Sequence, residues 1–264
     1  LPNYDSAAVD FNFASIFSDN VFGGNDRVSD SRALTVGVSS RLLDPRDGAE
    51  IVRLGLAQRY LLRDQNVFLP GGAPVTERFS DVLLAARVQW NPKWLVDTNF
   101  QYNPTIKDSV RTTLLTRYMP GPYRVLSAAY RLQRGSSEQF DVGWQWPLSL
   151  PWSDTPDRAV PGQALGPGRW YSVGRINYSV PDRKVVDLVA GFEYDGGCWI
   201  GRIVLERLQR SAATAAQRIL FQLEFNGFSR LGSSPLQTLK DNVPRYQYLR
   251  EETLSPPSRF QNYD

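Results

Sequence analysis

Arginine is the residue type in this chain with the most chemistry to offer. Arg41, Arg53, Arg59, Arg87, Arg111, Arg117, Arg131, Arg175 and Arg202 stand among very few lysines: Lys93, Lys107, Lys184 and Lys240. A guanidinium offers phosphate or carboxylate a rigid fork of donors and tolerates partial desolvation better than an ammonium. A GC-rich genome gives the same arginine excess, so these residues carry meaning only if they share a face. Other chemistries are poorly supplied. Histidine is absent and Cys198 is the single cysteine, which removes the usual zinc, haem and imidazole general-base sites. No nucleophile elbow, phosphate loop or Rossmann glycine pattern is present. The expectation is a non-enzymatic protein with no metal site and no cofactor.

The elements that would position the arginines are strands. Trp94, Val96, Thr98, Phe100 and Tyr102 alternate with Leu95, Asp97, Asn99, Gln101 and Asn103, giving one aromatic-rich face and one polar face. The same period runs through 33–43, 50–62, 82–90, 110–118, 123–132, 140–146, 170–179, 185–194, 198–208 and 217–228. Turn chemistry separates them, as in Asp44-Pro45-Arg46-Asp47-Gly48 and Asn91-Pro92-Lys93. The arginines named above all fall opposite the apolar stripe, with Gln222 on the polar face of the last strong strand. For any single arginine, pairing with Asp97, Asp141, Asp187, Glu193, Glu206 or Glu224 is the plainer role. As a population they make a net-basic surface suited to an anionic amphiphile.

Alternation alone does not say which face is wet, since a soluble sandwich or barrel has the same period. Three features favour lipid against the apolar face. Aromatics (Trp90, Trp94, Tyr102, Tyr118, Trp146, Trp170, Tyr178, Tyr194, Trp199) gather toward stripe ends, as in interfacial girdles. The strands are near the ~9–11 residues that cross a bilayer at a tilt. Hairpins follow one another with no helix-period segment to cover a sheet. The expected fold is therefore all-β: an antiparallel up-and-down transmembrane β-barrel wall of about eleven strands. Residues 1–32 are expected to form an extracellular loop region, 33–228 the strands, with a Pro/Gly-rich insertion at 147–169, and 229–264 a mostly coiled tail with room for one short strand. The first residues, Leu1-Pro2-Asn3-Tyr4-Asp5-Ser6, lack a basic n-region and an apolar h-region, as expected of a processed chain or an internal piece of a longer one.

Particular residues add a resemblance. Leu1–Ser6, Gly24-Asn25-Asp26-Arg27, Leu34–Arg41, Gly55-Leu56-Ala57-Gln58-Arg59-Tyr60, Trp146-Pro147-Leu148 and Gly191-Phe192-Glu193-Tyr194 through Cys198 to Glu206-Arg207 resemble, in the same order, the C-terminal part of the barrel domain of the LPS-assembly outer-membrane proteins, the LptD family. The resemblance implies a large barrel in the outer membrane of a Gram-negative bacterium that takes lipopolysaccharide from a periplasmic Lpt bridge through an N-terminal domain absent here. It further implies a plug lipoprotein, LptE, inside the barrel, outer-membrane lipids around it, and release of lipid through a seam between first and last strands. On that mapping Ile219, Phe221, Leu223 and Phe225 belong to a lip of the lateral gate. The substrate would follow Arg41, Arg53, Arg59, Arg87, Asn99, Arg111, Arg117, Arg131 and Gln222. Where relatives have adjacent cysteines at a periplasmic turn, this chain has Gly196-Gly197-Cys198, so the resemblance implies that Cys198 makes one interdomain disulfide.

Lipopolysaccharide assembly is thus the leading expectation and nucleic acid is not an expected partner. A general diffusion porin is the alternative, distinguished by free ion conductance without a partner. A soluble carbohydrate-binding β-protein would extract without detergent, and an outer-membrane hydrolase lacks the histidine for a triad.

Overall fold

The computed structural model describes residues 3–148, 168–209, 215–225 and 229–249. A two-residue pair, β1 (Ala7–Ala8) with β2 (Phe22–Gly23), precedes a sheet of twelve strands: β3 (Ala33–Leu43), β4 (Glu50–Leu61), β5 (Val82–Asn91), β6 (Trp94–Asn103), β7 (Asp108–Gly121), β8 (Arg124–Gln133), β9 (Ser137–Pro147), β10 (Arg169–Ser179), β11 (Lys184–Asp195), β12 (Trp199–Gln209), β13 (Ala215–Phe225) and β14 (Ser229–Gly232). The strands lie in chain order, antiparallel, with no crossover. One short helix, α1 (Pro235–Asn242), follows.

The eleven expected strands are all present, the tail supplies the one short strand for which it left room, β14, and the structure adds a helix. β14 pairs with Gln222–Phe225, so the sheet extends past residue 228 and the strand read as last has a short neighbour. The tail, read as coil, forms α1, and a helix-period segment does cover sheet. Of the expected insertion, residues 149–167 lie outside the described residues, as do 250–264 of the tail. Pro147 closes β9 and Arg169 opens β10.

Local chemistry sets the turns. Asn91 Oδ1 accepts from the amides of Lys93 and Trp94 at 2.9 Å each, closing β5 on β6. At the β3–β4 turn Gly48 takes φ 72°, a conformation that costs a side-chain-bearing residue, and its amide donates to the Asp44 carbonyl at 2.8 Å.

The chain divides into two units, Leu1–Thr116 with Ala129–Gln139, and Arg117–Ala128 with Phe140–Asp264. In the first, β3–β6 present Leu34, Val36, Val38, Leu54, Leu56, Leu84 and Phe100 on one face, all exposed. Against the other face lies the segment before β3. Phe17 rests on Gly37 and Phe13 on Gly55, where an added Cβ would come within 2.9 and 2.7 Å of the rings. Ile16, Ala57 and Leu83 form the buried centre beneath them.

In the second unit Phe192, Ile203, Ile219 and Phe221 are exposed on one face. On the opposite face α1 and the residues after it pack Leu239 and Val243 onto Val173, Val189 and Val204. Pro244 sits on Gly143, whose added Cβ would be 2.7 Å from the proline ring.

Candidate functional site

Strand register decides which arginines meet. In the first unit Arg41 lies opposite Arg53 and Arg53 opposite Arg87, so three guanidinium stems rise from adjacent strands on one face. Arg87 faces Asp97 in turn. Arg53 is held by Glu50 at 2.7 Å, whereas Arg87 and Asp97 are 3.9 Å apart. Asn99, two residues along from Asp97, donates to its carboxylate at 3.3 Å.

The remaining arginines of this unit are engaged by the leading segment. Arg59 is buried, donating to the carbonyls of Ile16 and of Ser18, the latter at 2.9 Å, and to Thr35 Oγ1 at 3.2 Å. Arg111 meets Asp10 at 3.4 Å. Arg111 and Arg131 line one hollow with Thr113, Ser137 and Gln139.

That leading segment is itself fastened through carboxylates. Asp26 accepts from the Ser6 hydroxyl and the Tyr4 amide, which hold its carboxyl well below the usual aspartate range. Asp30 is lowered chiefly by the amide of Asn66, aided by that of Val67.

The second unit builds a buried knot. Arg202 is fully buried and donates to Glu193 at 2.8 Å and Glu224 at 2.6 Å, with Gln222 Oε1 at 3.4 Å. Tyr246 donates to Glu193 at 2.6 Å and Tyr248 donates to Glu224. Arg202 and Lys240 each stand over the Tyr248 ring, 5.4 and 5.3 Å from its centroid. Arg230 of β14 closes on Glu224 at 3.1 Å, and Arg218 grips Glu206 through two bonds of 2.7 and 3.1 Å. Burial, and then the Glu193 carboxylate, push the Tyr246 hydroxyl well above the ordinary tyrosine range. Burial followed by the bond to Glu224 raises Tyr248. Both therefore remain donors at neutral pH.

The same tail reaches further along the wall. Gln145 and Gln247 exchange two hydrogen bonds, 2.7 and 2.8 Å. Tyr123 holds φ 55°, unusual for an aromatic residue, with its hydroxyl donating to the Leu249 carbonyl at 3.2 Å. Arg175 of β10 pairs with Asp141 of β9, and Arg117 is half-buried on β7.

Register places Arg41, Arg53, Arg87 and Asn99 on one face of β3–β6, and among the described residues the expected set falls into separate groups. Arg41, Arg53 and Arg87 make a row, Arg59 and Arg111 are occupied by the leading segment, and Gln222 belongs to the knot. Ile219, Phe221 and Phe225 are exposed on the apolar face of β13, Ile219 at 71%. Cys198 is an exposed free thiol in the β11–β12 turn. Sequence reasoning missed Pro244, Tyr246, Gln247 and Tyr248. The available signal was Ser234 before Pro235, followed by Leu236 and Leu239 at helical spacing. Among the described residues no group of three or more metal-ligating acid, cysteine or histidine side chains is assembled.

An up-and-down antiparallel sheet with one exposed apolar face and one polar face folded over by its own chain defines the class: all-β, in keeping with part of a barrel wall. Comparison with known proteins refines this. Residues 1–152 match the family model described as "LptD: LPS transport system D". The LPS-assembly protein LptD of Albidiferax ferrireducens is 63% identical over 265 residues, covering 100% of this chain and 33% of that protein. Those of a Polaromonas species (61%, 100% and 32%) and Thiobacillus denitrificans (38%, 97% and 33%) align similarly. The chain belongs to the LptD family, and spans about a third of the length of the curated relatives it matches.

Proposed function

We propose that this chain is wall and lumen lining of a non-enzymatic outer-membrane translocon that assembles lipopolysaccharide into the outer leaflet. The observation that carries the reading is the two-faced wall of an LptD-family chain. Large apolar side chains cover one side of the sheet in each unit, such as Val38 (64% exposed) in the first and Ile219 (71%) in the second, while arginines stand on the other side of each. Exposing such a face to water would cost roughly 25 cal/mol for each Å² of apolar surface; hydrocarbon removes that cost. Backbone groups of a closed barrel are all paired, as a membrane requires.

In this reading residues 1–32 lie at the extracellular end, folded onto the lumen side, and 33–228 span the membrane, followed by the tail. Phosphates and core sugars of the lipid pass the polar face, and its acyl chains leave through a seam bounded by the β13–β14 edge. LptE is the partner inside the barrel, and the Lpt bridge delivers substrate through regions outside this chain. Cys198, exposed at its turn, is free to take an interdomain disulfide.

Site-specific photocrosslinking in the intact protein tests this. Lipopolysaccharide adducts from Arg87, Asn99 and Gln222 positions are expected, with none from Val88 and Phe100. The opposite pattern would invert the assignment of lumen and lipid. Free ion conductance that is unchanged by LptE would favour a porin instead.

A further inference from the structure

We infer that the Arg41–Arg53–Arg87 row is a binding site for the phosphate groups of an amphiphile's headgroup. The inference deepens the lumen reading above and rests on it.

Register is the starting point. Directly opposed residues of an antiparallel pair lie about 4.5–5.5 Å apart at Cα, and like charges so placed destabilise a sheet. Arg41 opposes Arg53 and Arg53 opposes Arg87, so the wall bears this repulsion twice in succession. The carboxylates nearby relieve it only in part. Glu50 serves Arg53, and Asp97 stands 3.9 Å from Arg87 while also accepting from Asn99. Among the described residues Arg41 forms no ion pair. Asp44 and Asp47 each spend a carboxylate oxygen on a turn amide, of Arg46 and Ala49 respectively, at 2.9 Å.

Elsewhere on the polar faces the chain answers its own arginines. Arg59 is met by the carbonyls of Ile16 and Ser18, Arg111 by Asp10, and Arg202 by two buried glutamates. The row keeps one arginine without an ion pair, Arg41, and one stretched pair, Arg87 with Asp97, near a hollow of about 500 Å³ that Arg53 and Arg87 line together with Asp44, Asp47 and Glu50. Repulsion stored at a solvent-facing position is relieved by an anion with several acceptor oxygens. Phosphate fits guanidinium forks bidentately and can bridge two of them. Glu50 and Asp97 would then turn from partners into competitors, favouring a dianionic phosphate over a single carboxylate.

The test uses the full-length protein in its membrane, with a photoreactive residue in place of Ser39, which shares the row's face on β3. Crosslinking of lipopolysaccharide is expected to fall about tenfold in the Arg41→Gln/Arg53→Gln/Arg87→Gln variant, the scale of lost charge-assisted hydrogen bonds. Dephosphorylated lipopolysaccharide should show the same loss with the unaltered protein. Equal crosslinking in either case overturns the site and leaves the lumen reading standing. Complete competition by excess inorganic phosphate assigns the row to free phosphate and overturns the headgroup. No lipid adduct from Ser39 or Asn99 in the unaltered protein removes the lumen reading itself. Arg41→Gln alone should raise the unfolding midpoint by relieving repulsion. A lowered midpoint would make the row an ion-pair support of the wall.

Discussion

Arg202 shows how costly a buried charge becomes when its partners are removed. The guanidinium and Glu193 are both fully buried at 2.8 Å, with Glu224 at 2.6 Å on the other side. Arg202→Met removes one cation and leaves Glu193, wholly out of solvent, without a cationic partner, while Glu224 keeps Arg230. Breaking such a pair from one side costs about 3–5 kcal/mol. The expected result is a lower unfolding midpoint for the full-length protein, whereas Arg78→Met, whose pair with Asp64 is about half exposed on both sides, should lower it far less. The tyrosines add a pH dependence. Tyr246 and Tyr248 titrate above the ordinary tyrosine value, so on raising the pH the unfolded chain loses these protons first. Their contribution is complete below about pH 10 and is lost as the pH climbs through the higher folded values. The tail should therefore loosen in alkali, read as rising hydrogen exchange at residues 243–249. Asp26 and Asp30 run the other way. Their lowered values make their contribution full above about pH 3.9 and lost as pH falls below it, so acid should release the segment before β3 first.

The strands were legible in the sequence because a period of two survives any uncertainty about their ends. Slipping one residue would move the exposed Leu34, Val36, Val38, Leu54, Leu56 and Leu84 onto the arginine face, so the face assignments follow once the strands are drawn. β14 was legible only as room for one short strand in the tail, and α1 was not legible at all, for a different reason. Four residues of Ser-Arg-Leu-Gly are too few to establish a period, and an eight-residue helix is marginal without packing. Its stability comes from Leu236 and Leu239 buried on a wall assembled far away in sequence. Gln145 and Gln247, which hold each other, are 102 positions apart. The arginines illustrate the same limit: their common face was readable from parity, but the row needs the register of three strands, which no local pattern supplies. Glycines mark where chain returns onto wall. Gly143→Val would drive a side chain into Pro244 and Ser127, at the ~1–3 kcal/mol typical of overpacking. We expect residues 243–249 to become protease-sensitive while β8–β10 stay paired. Unzipping of those strands, seen as loss of their protected amides, would show that the glycine serves the sheet and not the tail.

For the molecule as a whole the deciding quantity is the medium touching each face. If hydrocarbon meets Val38, Leu56 and Leu84, then Leu56→Arg must carry a charge into the bilayer. It opposes Val38 on one side and Leu84 on the other, so no neighbour on that face offers a counter-charge. Near the bilayer midplane such a substitution costs about 2–4 kcal/mol, while a change on the lumen side tunes contacts at little cost. Arg53→Ser, three residues away on the opposite face, should accordingly leave the folded yield in bilayers nearly unchanged, and Leu56→Arg should depress it sharply. The contrast should vanish in urea-containing buffer without lipid, because the unfolded chain exposes both positions alike. Equal tolerance of the two substitutions in bilayers would mean that water reaches both faces of β4, and the wall would have to find its hydrophobic partner in another protein layer.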